Sequence, residues 1–184
     1  MKKRLLQVFL FTIFLSLSVS TRLLAQTLGD EIIRSQFIKD WERAKAYTVD
    51  YLNTMPADKY SFKATDSTRS FAQHMLHLAQ SNVNTIHFVA GEPNTIGDRN
   101  LEESKTAQTK DSVMYFIASS YNLFIHGINK MNMATLNEKI KFYLWEETRF
   151  ALLLKAFEHQ THHRGQTTIY LRLAGLHPPQ ERLF

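Results

Sequence analysis

The sequence predicts an all-α protein, a four-helix bundle preceded by an N-terminal signal peptide. Three observations carry that expectation. Apolar residues recur at helical spacing along four long segments. Gly and Pro cluster between those segments, and a basic, then apolar, stretch opens the chain. The chain has no cysteine, so the fold must hold by packing, and thiolate ligands or a Cys nucleophile are excluded.

Residues 1–25 read as the signal peptide. Met1-Lys2-Lys3-Arg4 is a basic start, an apolar run follows from Leu5 to about Leu17, and Ala25-Gln26 offers a cleavage point. The run is short for a membrane span of about twenty residues. An exported, periplasmic protein with no stable span after cleavage is the expectation. The full chain carries a formal charge of +5. Lys2, Lys3, Arg4 and Arg22 all lie in the leader, and removing these four of 22 basic residues leaves 18 against 17 acidic ones. The basic balance is therefore an export feature, and no nucleic-acid surface is expected.

Residues 26–184 form one domain. A first helix is expected from about Gly29 to Asn53, with Ile33, Phe37, Trp41, Ala44 and Tyr51 on one stripe and Pro56 as a stop. Asp66-Ser67-Thr68 offers N-cap chemistry for a second helix, which Gly91 and Pro93 end. Residues 91–106 read as a polar loop. A third helix spans about Thr109 to Asn132. Ile140, Phe142 and Leu144 alternate with Lys141 and Tyr143, which suggests a short extended piece. A last helix runs from near Glu146 to about Ala174, closed by Gly175 and Pro178-Pro179.

The last helix holds the sharpest chemical signal, Glu158-His159-Gln160-Thr161-His162-His163. His159 and His163 are four apart, so their imidazoles project from one helix face and could share a divalent ion. The zincin metalloprotease motif places a glutamate after its first histidine as general base. Here that position is Gln160, which cannot take a proton. On the second helix His77 sits among residues expected to pack inward, with His74 three positions back as its rival. Spacing alone chooses neither between His74 and His77 nor between His162 and His163. His87, His126 and His177 read as surface or packing residues.

The run His159-x-x-x-His163-Arg164-Gly165-Gln166, with Tyr170-Leu171-Arg172-Leu173-Ala174-Gly175 and Pro178-Pro179 behind it, resembles the signature of the DinB-like (YfiT-like) metalloproteins. Leu76-His77-Leu78-Ala79 is similar to the stretch where that family contributes its first histidine. The resemblance implies a DinB-like four-helix bundle with a divalent metal on His77, His159 and His163, leaving His74 and His162 as neighbours. Imidazole ligands suit Zn, Ni or Fe without choosing among them. Gly165, costly inside a helix, would then permit close packing beside the site. Arg164 and Gln166 would hydrogen-bond around it or hold an anion, with a plain surface Arg as the alternative.

By the same resemblance, the function is metal-dependent transfer or hydrolysis on a small-molecule substrate, with a low-molecular-weight thiol as co-substrate in the transferase case. Glu158, Tyr170 and Tyr47 are the candidate bases. The resemblance also admits a homodimer. The alternative is a non-catalytic metal- or ligand-binding bundle in the envelope, with a stress-response role. A ferritin-like di-iron site does not fit, because its Glu-x-x-His repeats are missing.

Overall fold

A computed structural model describes residues 2–184, with side chains on the first 27 residues confined to Arg4, Gln7, Phe9, Phe11, Thr12 and Phe14. The signal-peptide reading thus falls on a segment whose side chains lie mostly outside the described residues. The helices are α1 (Lys2–Thr54), α2 (Phe71–Ala90), α3 (Lys110–Lys130) and α4 (Arg149–Leu173). The chain divides into two compact units at Gln36/Phe37, and the second, Phe37–Phe184, contains the bundle. No helix among the described residues is long and apolar enough to cross a membrane.

The bundle is not strictly all-α. Strands β1 (Lys139–Phe142) and β2 (Trp145–Thr148) pair antiparallel, Phe142 opposite Trp145, in a two-stranded hairpin ahead of α4. The alternation seen in the sequence is the first of these strands. What it could not show is that the return strand takes Trp145–Thr148, so α4 begins at Arg149 rather than near Glu146. Thr148 caps α4 by accepting from the Ala151 amide.

Capping also fixes the start of α2. Ser70 accepts from the Gln73 amide (3.2 Å) and donates its own amide to Gln73 Oε1 (2.8 Å), a reciprocal capping box. The expected cap, Asp66-Ser67-Thr68, instead closes a turn in which the Thr68 amide donates to the Thr65 carbonyl. Gly91 ends α2 in the left-handed region at φ +74°. Thr109 caps α3 at the position the sequence suggests.

The core is built around Trp41, which is fully buried, stacked on Phe124 of α3 at 3.6 Å and edge-on to Phe157 of α4. The Phe37–Thr54 part of α1 therefore meets both α3 and α4. Helix α2 packs against the same two helices. Where α2 meets α3 the backbones come close. A Cβ added at Gly127 would stand 2.5 Å from Ile86 Cγ1, so glycine is required there. Gly165 is different: it is exposed, and nothing lies within 4 Å of an added Cβ. The packing role expected for it is not found.

Candidate metal centre

Helices α2 and α4 run antiparallel. Rising one turn on α2 from His74 to His77 matches descending α4 from Tyr170 through His163 to His159. The Nε2 atoms of His159 and His163 come within 3.1 Å of each other. His77 joins them from α2, its ring centroid 4.7 Å from that of His163 and 5.2 Å from that of His159. One ligand atom from each of the three lies within 4.8 Å of the others, a group that could hold a metal ion. The structure thus brings His77, His159 and His163 together and leaves His162 exposed, hydrogen-bonded to Gln166.

The outer nitrogens show which imidazole atoms are bare. The Tyr170 hydroxyl donates to the Arg69 carbonyl at 2.6 Å. Its oxygen is then free to accept from His74 Nε2, 3.2 Å away. With its proton on Nε2, a neutral His74 presents a bare Nδ1, which accepts from His163 Nδ1 at 3.1 Å. The result is a bare Nε2 on His163, facing His159. On the other helix His77 Nδ1 lies 2.5 Å from Glu102 Oε1, so its N–H donates to the carboxylate and its lone pair sits on Nε2. Acceptors on the far ring nitrogen fix ligand tautomers in this way around histidine-held metals.

The donor set fits a divalent ion. Two imidazole nitrogens about 2.0–2.1 Å from one tetrahedral ion stand about 3.3 Å apart, close to the 3.1 Å between His159 and His163 Nε2. His159 Nδ1 is buried with no partner, so the protein itself anchors only two of the three rings. His74 of α2 and the two α4 ligands, His159 and His163, are all pushed toward the neutral form, which is the form ligation requires. Burial, reinforced by Arg69 and His77, pushes His74 down to about 4. Burial and the nearby His77 push His159 down to about 4, and burial with His159 pushes His163 to about 2.

Glu102 is the residue that sequence reading missed. It lies in the loop between α2 and α3, read only as polar. Leu101 and Ala107 are buried and tie the loop down, and the Leu101 amide donates to Gln80 Oε1. Gln73 and Gln108 both donate to the Glu102 carbonyl. Arg69 Nε approaches Glu102 Oε2 at 2.5 Å. Burial by itself would raise the Glu102 carboxyl, but hydrogen bonds from Arg69 and His77 outweigh it and hold the group below its usual value. No spacing rule marks this glutamate.

Other expectations are revised. His77 is half-buried and His74 is the buried one, the reverse of the inward packing expected for His77. Arg164 is buried rather than a surface residue or a ligand to an anion. It donates to Gln160 Oε1 (2.5 Å) and Thr48 Oγ1 (3.3 Å) and stacks over the Tyr47 ring. Gln160, the residue that rules out the protease motif, is fully buried and also accepts from Tyr121. Of the candidate bases, Glu158 is exposed, Tyr47 pairs with Tyr51, and Tyr170 is committed to Arg69 and His74. Burial and then Tyr51 push Tyr47 up to about 12. His87 and His126 both bond to Glu92, and His177 is exposed.

Fold and site together define a helical bundle with a three-histidine group between α2 and α4. The sequence profile of the DinB family matches residues 25–182, and the chain belongs to that family. An uncharacterized protein, YrdA of Bacillus subtilis (strain 168), is 26% identical over 148 residues, 78% of this chain and 84% of the relative. The crystal structure of a DinB-like protein of Bacillus subtilis, YjoA, superimposes with a TM-score of 0.63 at 18% identity, over 81% of this chain and 96% of that one. A DinB-like protein from Bacillus cereus ATCC 10987 gives 0.64 at 17%, over 79% and 95%. At such identities the two structures establish a shared fold.

Proposed function

We propose that this DinB family protein is a metal-dependent hydrolase or transferase in which His77, His159 and His163 hold one divalent ion. The observation that carries the reading is the paired bare nitrogens: His163 and His77 each have Nδ1 committed to a protein partner, and His163 Nε2 faces His159 Nε2 at 3.1 Å. Bound there, a divalent ion would supply Lewis acidity, lowering the pKa of a water or thiol or polarising a carbonyl. The chain's own part is to favour the neutral form of His159 and His163, to orient His77 through Glu102 and His163 through His74, and to admit a small-molecule substrate.

Zn, Ni and Fe all suit the ligand set. The basic and apolar start of the chain supports export to the periplasm. Export separates the protein from cytosolic thiols, which favours water over a low-molecular-weight thiol as the nucleophile. The test is a turnover screen of metal-replete protein against ester, amide and thiol-conjugate substrates. Turnover abolished by His163→Ala supports the proposal; a metal-replete protein inert to every class contradicts it.

A second reading is a non-catalytic metal-binding bundle in the envelope, with a stress-response role. It is favoured by one observation: Tyr47 and Tyr170 are both committed to other partners and Glu158 is exposed, so none of the expected bases is free beside the triad. It predicts a melting temperature that rises with metal and no turnover.

A further inference from the structure

We infer that the cavity between the hairpin and the α2–α4 pair is the subsite for an uncharged, apolar portion of the substrate, about one or two aromatic rings in size. This rests on the metal-centre reading and extends it to a substrate class. The cavity measures about 460 Å³, within the range of small-molecule sites. Phe142 and Trp145 of the hairpin form one wall, Leu152 and Ala156 of α4 another, and Ser81 and Thr85 of α2 the third. His159 borders the same cavity, so one end of an apolar chamber is a member of the histidine triad.

The helical register explains this alignment. Leu152, Ala156 and His159 fall at spacings of four and three on α4, so they share one face, and the cavity runs along it toward the triad. Along the apolar walls the two charged side chains oppose each other. Lys155 and Glu147 also border the cavity, and they pair with each other at 3.7 Å. The remaining polar groups are the Ser81 and Thr85 hydroxyls, able to orient a substrate by hydrogen bonds but not to neutralise an anion.

The hairpin supplies the wall that the helices alone lack. Trp145 is 64% exposed although it borders the chamber, and a ligand would cover its indole. Trp41, the other tryptophan, is fully buried, so Trp145 is the indole that a ligand in the chamber would touch.

The test is titration of the purified protein with N-phenyl-1-naphthylamine, an uncharged apolar fluorophore, with divalent-metal content measured on the same samples. Saturable enhancement of probe fluorescence at one probe per chain is expected. Ala156→Phe, which fills the chamber, should weaken binding at least tenfold with metal content unchanged. Should Ala156→Phe not fold, Trp145→Ala carries the test: it lies on the exposed hairpin and should weaken binding. Binding of equal affinity in both folded variants, or no saturable binding to the wild type, overturns the subsite. The two readings fail separately, since metal content tests the histidines and probe affinity tests the chamber.

Discussion

His74 Nδ1 lies 3.1 Å from His163 Nδ1, and the Tyr170 hydroxyl behind it sets the direction of that hydrogen bond. A buried histidine that is not in the triad therefore decides which nitrogen of a triad member is bare. Removing it should leave the ligand in place but free its ring to turn. His74→Phe is expected to lower metal affinity about 10- to 100-fold, the usual effect of losing an outer-shell partner. Competition with a chromophoric chelator measures this; unchanged affinity would show that His163 needs no such support.

Glu102 plays the matching part for His77. Glu102→Gln keeps the shape but removes the charge that receives the His77 proton and the Arg69 guanidinium. Metal affinity should again fall about 10- to 100-fold, and the loop should stay folded because its ties run through the Glu102 carbonyl and Leu101. Hydrogen exchange across residues 96–108 separates the two effects: protection should persist while affinity drops.

Much of the fold is legible in the sequence for simple reasons. Long helices write their buried face at a 3.6 repeat, and Pro56, Gly91 and Gly175 punctuate them. The triad is legible because two of its members share one helix face. Glu102 is not, since its approach to His77 depends on where Leu101 and Gln80 pin a loop, and no periodicity records that. The choice between His74 and His77 is equally hidden, because a difference of three positions on a helix is settled by how α2 is rotated against α4. The α2 cap went to Ser70 because Gln73 lies three residues on and can return the hydrogen bond.

Gly127 of α3 and Gly165 of α4 should respond in opposite directions to the same change. Gly127→Ala would press a methyl against the buried Ile86 side chain and is expected to cost about 1–3 kcal/mol. Gly165→Ala meets nothing and should stabilise the protein by about 0.5–1 kcal/mol through helix propensity. Urea unfolding of both variants checks the signs, and a destabilised Gly165→Ala would mean that the position is needed for something other than packing.

Acidification should destabilise the metal-free protein. The folded values of His74 and His159 lie at about 4 and that of His163 at about 2, all below the ordinary value of 6.5. The unfolded chain therefore binds more protons in this window. Stability is fully present above pH 6.5 and is lost as pH falls through 6.5 toward 4, by up to about 1.4 kcal/mol per pH unit for each histidine. Melting temperature against pH reads the slope. His163→Leu removes one titrating group and should flatten it; an identical slope in that variant would place the acid sensitivity elsewhere.

The central claim is that His77, His159 and His163 hold one divalent ion between α2 and α4. Elemental analysis of the purified wild type beside His77→Ala and His163→Ala, each checked for helical content, tests it most directly. The wild type should carry about one divalent ion per chain, held by three histidines with a coordination position left open, and both variants should lose it. Metal content unchanged in the two folded variants, or lost only when His162 is replaced, would contradict the assignment.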